Sequence, residues 1–132
     1  GRLSSPTTYR DTPLSTPDAD TWAGEAGPGA PAPDAPMRDA QGRPVWLLNA
    51  IGGDCLLLHV ASEEIATPAL PGLRTLVIGR DLFDADGVFT RRYDASPGAT
   101  WLLRPDQHIA ARWRHADDEA VSAALCRMLA LA

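Results

Sequence analysis

Three groups of residues in this sequence carry side chains suited to chemistry. Within Ala99–Trp113, ATWLLRPDQHIAARW, a guanidinium (Arg104), a carboxylate (Asp106) and an imidazole (His108) stand at alternate positions between two apolar runs. Such a trio is the raw material of a catalytic loop with an arginine clamp. His59, His108 and His115, with Asp117 or Asp118, are potential metal ligands, and Cys55 and Cys126 are potential redox thiols.

Spacing argues against each of these uses. The histidines match no zinc signature. The two cysteines form no CxxC. Asp84–Gly87, DADG, puts glycine fourth where a calcium loop needs it sixth, and Ala95 where the loop needs a glutamate. Gly52-Gly53 is not a dinucleotide fingerprint, and neither GxGxxG, a P-loop nor GxSxG occurs. For Arg104–His108 the plain reading is a hairpin tip. Pro105 suits position i+1 of a type I turn and Asp106 position i+2, and proline cannot take the positive φ of a two-residue hairpin. The loop is therefore expected to be a type I turn plus a bulge, with Gln107 near the left-handed region and Arg104 holding Asp106 or a carbonyl. No residue of this chain is assigned to catalysis, to a cofactor or to a metal.

The elements that position these residues follow from composition and periodicity. The chain has 132 residues, room for one domain, and 45% of it is apolar. Its net charge of −5 disfavours nucleic acid as a partner, and all twelve basic residues are arginine. No apolar run is long enough for a membrane span. Gly1–Pro6 leads into polar sequence, so no secretory leader is expected, and two distant cysteines suit a reducing cytoplasm. The absence of an initiator methionine suggests a piece of a longer protein.

Residues 1–44 hold eight of the twelve prolines and no sustained period. They are expected to form an extended strap without a helix or central strand, anchored by Tyr9, Leu14, Trp22 and Met37. Residues 45–132 are expected to form the folded domain. Val45–Ile51 reads as a short helix or strand, Cys55–Val60 and Leu73–Gly79 as strands buried on both faces, and Ser62–Ala66 as a short capped helix between them. Residues 81–87 read as a turn, and Val88–Ala95 as one or two helical turns. Thr100–Leu103 and His108–Trp113 read as a hairpin. Ala116–Leu131 reads as a helix, with Val121, Ala124, Leu125 and Met128 on its apolar stripe. The order β-α-β-α-β-β-α implies an α/β, thioredoxin-like fold with a four-stranded mixed sheet. A redox thioredoxin carries its thiols where the first buried strand meets its helix. Here that stretch reads Ala61-Ser62-Glu63-Glu64, so disulfide chemistry is not expected, and Cys55 and Cys126 are expected near the core.

Four blocks, in order, resemble the C-terminal domain of FAD-dependent aromatic hydroxylases of the phenol, 3-hydroxyphenylpropionate and polyketide hydroxylase type. YRDTPLS contributes Tyr9, Arg10, Pro13 and Leu14, and APAPDAPM contributes Pro33, Asp34 and Pro36. DAQGRPVWLL (Asp39 to Leu48) is similar to the family's entry into a strand. LLRPDQHIAARW contributes Arg104, Pro105, Asp106 and Arg112. The resemblance implies a thioredoxin-like domain without redox cysteines, in which these residues are structural. It also implies a parent enzyme whose other domains bind FAD, NAD(P)H and the aromatic substrate. The strap would then dock on the FAD-binding domain, and a homodimer is possible. A free-standing interaction module with the same fold, its redox centre lost, is the alternative. An upstream coding frame containing GxGxxG separates the two.

Overall fold

The computed structural model of the protein describes residues 14–130. Its middle is the apolar run that follows Cys55. Strand β3 (Leu56–Val60) pairs in parallel with β4 (Arg74–Ile78), Leu58 opposite Leu76, and antiparallel with β6 (Thr100–Leu103), Leu58 opposite Trp101. Strand β7 (Ile109–Trp113) continues the sheet beyond β6. On the other side lie β5 (Leu82–Phe83), then β1 (Pro36–Asp39), then β2 (Pro44–Trp46). The mixed sheet thus has seven strands in the order β2-β1-β5-β4-β3-β6-β7, where four were expected.

The three additional strands are short, and two of them begin with proline. Pro36 and Pro44 each stand at the first position of a strand, where a missing N–H breaks little of the ladder. Strand β1 is paired on both sides, Met37 with Val45 of β2 and Arg38 with Phe83 of β5. The expectation that the proline-rich arm forms no central strand is therefore corrected. Residues 81–87, read as a turn, contain β5.

Two layers cover the sheet. Leu56, Leu58, Leu76, Ile78, Trp101 and Leu103 point to one face. There they meet α1 (Leu47–Ile51) and α2 (Val88–Tyr93) through Leu47, Ile51, Phe89 and Tyr93. Leu57, Leu102, Ala111 and Trp113 point to the other face and meet Val121, Ala124 and Met128 of α3 (Asp118–Ala130). Burial on both faces is why β3 reads as an uninterrupted apolar run.

Residues 45–51, open between helix and strand, are both: β2 ends at Trp46 and α1 begins at Leu47. The helix expected at 62–66 is absent. Ser62 Oγ accepts the amides of Glu64 (3.1 Å) and Ile65 (3.2 Å), but the turn stops there. Pro68 and Pro71 deprive the following residues of the donors that a helix needs. The parallel crossover from β3 to β4 is thus a loop. Ile65 is pinned under Gly98, whose φ of +88° no side chain would favour. Cys55 is half-buried beside the α3 layer, whereas Cys126, expected near the core, is exposed; both are free thiols.

Candidate functional site

The Arg104–His108 tip spends its polar groups on itself. Arg104 Nη2 donates to Asp106 Oδ2 at 2.6 Å, and the His108 amide donates to Asp106 Oδ1 at 3.0 Å. The Gln107 amide donates to the Arg104 carbonyl and the Arg104 amide to the His108 carbonyl, both at 2.9 Å. Gln107 has φ of +65°, and the β6–β7 register shifts at Leu102/Leu103, as a turn followed by a bulge requires. Its Nε2 donates to the carbonyls of Leu48 (2.8 Å) and Gly52 (3.0 Å), so the tip is bolted to the end of α1. Burial pushes the Asp106 carboxyl up, but the His108 amide and the Arg104 guanidinium outweigh it and hold the group below its ordinary range. A carboxylate so engaged is a poor proton acceptor.

The other sequence-flagged residues lie elsewhere. Leu14 meets the tip across a groove of about 290 Å³ that Arg104, Pro105, Asp106, Met128 and Leu129 also line. Pro33 and Asp34 sit at the junction of α1 and α2. The Pro33 carbonyl accepts the Tyr93 hydroxyl, the Asp34 carbonyl accepts Arg92 Nη1 (2.6 Å), and Asp34 Oδ1 accepts the Leu48 amide (3.0 Å). Burial among apolar groups, and then the Asp34 charge, push the Tyr93 phenol far up, which keeps it a donor. Pro36 opens β1. Tyr9, Arg10 and Pro13 lie outside the described residues. The family-motif residues that are described therefore occupy separate structural junctions and form no single centre.

Arg112 anchors a polar cluster that joins the strap to β7. Its guanidinium holds Asp18 through Nε–Oδ1 (3.0 Å) and Nη2–Oδ2 (2.8 Å). Arg114 holds Asp94 at 2.6 Å, and its amide donates to Asp20 at 2.9 Å. Both guanidiniums lie over the Trp22 ring, with Cζ 4.5 Å (Arg112) and 3.7 Å (Arg114) from its centroid. Trp22 in turn tilts against Trp101, 5.6 Å between centroids. Trp22 was legible as an anchor, but Asp18, Asp20, Asp94 and Arg114 were missed. The signal available was the matched spacing of Asp18-x-Asp20 and Arg112-x-Arg114.

His59 is fully buried. The Thr100 hydroxyl donates to the Gly98 carbonyl (3.2 Å), so its oxygen accepts His59 Nδ1–H (2.8 Å) and leaves Nε2 a bare, unpartnered acceptor. Burial lowers this imidazole's pKa and raises that of the Cys55 thiol. Sealed from solvent, His59 has no route to a substrate. The Asp84 carboxylate accepts the amides of Phe89 (3.2 Å) and Thr90 (3.0 Å), so DADG serves the start of α2. Among the described residues no three His, Cys, Asp or Glu side chains gather to hold a metal ion, and no helix is long and apolar enough to cross a membrane.

No family profile matches the sequence, and no curated protein matches it. Solved structures do match the fold. Aklavinone-11 hydroxylase, crystallised with FAD and aklavinone, superposes with a TM-score of 0.68 at 20% identity, over 90% of this chain and 25% of its own. The flavin-dependent monooxygenase PieE, in complex with FAD and substrate, gives a TM-score of 0.68 at 20% identity, over 90% of this chain and 24% of its own. The chain spans about a quarter of the length of these two enzymes, and its fold is that of a domain of FAD-dependent hydroxylases.

Proposed function

We propose that this chain is the C-terminal, non-catalytic domain of a FAD-dependent aromatic hydroxylase, built on a thioredoxin-like plan whose redox centre is lost. FAD, NAD(P)H and the aromatic ring would bind to the remainder of a longer, cytoplasmic chain, and this domain would stabilise that chain and support its assembly. Residues 1–44 would serve as the strap that meets the FAD-binding domain, and residues 45–132 as the body that carries it.

The observation that carries this reading is the Arg104–His108 tip. Its carboxylate, its amides and the Gln107 side chain are all engaged in building the hairpin and holding α1, which supports a structural role for the tip. The fold shared with two flavin hydroxylases supports the assignment to such a parent. Reading the coding frame upstream of Gly1 tests it. A continuous frame that encodes a GxGxxG strand–helix unit is the expected result, and a start codon directly before Gly1 overturns the proposal.

A further inference from the structure

The two edges of the sheet are treated differently. Strand β2, at one edge, is three residues long and begins with Pro44, so it offers few groups to a neighbour. Strand β7, at the other, has five residues, IAARW, and no proline. Such an edge invites pairing with another chain unless something covers it. Here the strap covers it with main-chain bonds. The Thr16 amide donates to the Ala110 carbonyl (2.8 Å), Gly29 to Ile109 (2.7 Å) and Ala32 to Gln107 (2.8 Å), and the Ile109 amide donates to the Ala30 carbonyl (2.9 Å). Between the first contact and the rest, Asp18, Asp20 and Trp22 fasten the strap to Arg112 and Arg114.

We propose that the strap is a detachable cap on the β7 edge, and that its release lets β7 pair antiparallel with β7 of a second copy of this chain. Ile109 presents both its N–H and its C=O to the strap. An antiparallel copy with Ile109 opposite Ile109 would replace those same two bonds. The strap competes with this pairing because it is tethered to the strand it covers. Trp22 is the fastening, since its ring engages both guanidiniums and the core Trp101.

The test uses the full 132-residue chain with Trp22→Ala, followed by sedimentation velocity and amide exchange over a concentration series. In dilute solution the Ile109 and Ala32 amides should exchange at least tenfold faster than in the parent chain, with the β3 amides unchanged. As concentration rises a dimer should form, and Ile109 should regain protection while Ala32 stays fast. A monomer at every concentration overturns the proposal. So does a dimer in which Ala32 and Ile109 regain protection together, since that is exchange of straps between copies. If Trp22→Ala also exposes β3, Gly29→Pro decides by the same readouts. It removes the Gly29 donor and forbids that residue's φ of +87°, loosening the cap while leaving Trp22 and the core aromatic rings unaltered.

Discussion

Asp34 caps a helix that begins thirteen residues after it. Its Oδ1 accepts the Leu48 amide at 3.0 Å and the Ala35 amide at 2.9 Å, while Trp46, at the N-cap of α1, offers no side-chain bond. The orphan donor at the start of α1 is thus met by the proline-rich arm. Asp34→Ala should cost about 0.5–2 kcal/mol, the usual value of a lost cap. Thermal unfolding checks it, with Asp34→Asn expected to retain part of the stability.

The Arg104–His108 tip should matter for folding alone. Asp106→Ala removes an ion pair and a turn hydrogen bond, worth about 0.5–1.5 kcal/mol. Gln107→Ala should cost more, because it strips a donor from the Leu48 carbonyl of α1 and from that of Gly52, its C-cap. Urea midpoints of the two variants measure the order. A Gln107→Ala protein as stable as the parent would refute the bolt between tip and helix.

Gly98→Ala should be among the most damaging single-methyl changes in the protein. The added Cβ would collide with Ile65, and φ of +88° strains any side chain. A loss of about 1–3 kcal/mol is expected. Pairing it with Ile65→Ala should recover the steric part and leave the backbone part, which a double-mutant cycle on urea midpoints resolves.

Stability should fall in two separate steps on acidification. Burial holds His59 below the ordinary 6.5, so below that pH the unfolded chain takes up a proton that the folded protein resists. Stability therefore declines beneath pH 6.5 and is level above it until the alkaline range, where the unfolded chain begins to lose the Cys55 proton that burial holds on in the fold. His59→Gln should abolish this first decline. Asp81, held down first by the Arg80 side chain, and Asp106, held down despite burial by the His108 amide and Arg104, stabilise the fold above their ordinary 3.8. That contribution is lost as pH falls through their depressed values. Urea midpoints against pH, for parent and variant, separate the two.

The purified chain should be colourless, bind no stoichiometric FAD and fail to reduce insulin. Flavin absorbance and insulin turbidity measure these. Reduction that Cys55→Ser abolishes would contradict the reading of Ala61–Glu64.

What the sequence revealed depended on how many residues carried each signal. The hairpin, the α3 stripe and β3 repeat their pattern over enough positions to be read, and Pro105 narrows the tip to a bulged turn with Gln107 left-handed. Strands β1, β2 and β5 hold four, three and two residues, too few for an alternation to show. Two of them open with proline, which argues against strands unless its position within the element is known. Ser62 did signal a cap, but a cap starts a helix only where donors follow it. The Asp18–Arg112 and Asp20–Arg114 contacts each join positions 94 residues apart, and only the fold brings them together.

That same separation sets an order of events during synthesis. A ribosome makes residues 16–32 of the strap before any strand of the sheet, yet the strand that receives them, Ile109–Trp113, is among the last segments to emerge. Until then Trp22 has neither arginine to cover its ring, and the amides of Thr16, Gly29 and Ala32 lack the carbonyls they bond in the finished fold. Closure of so long a loop comes late in folding. Residues 16–32 of the strap are made well before β7 and yet settle only after it.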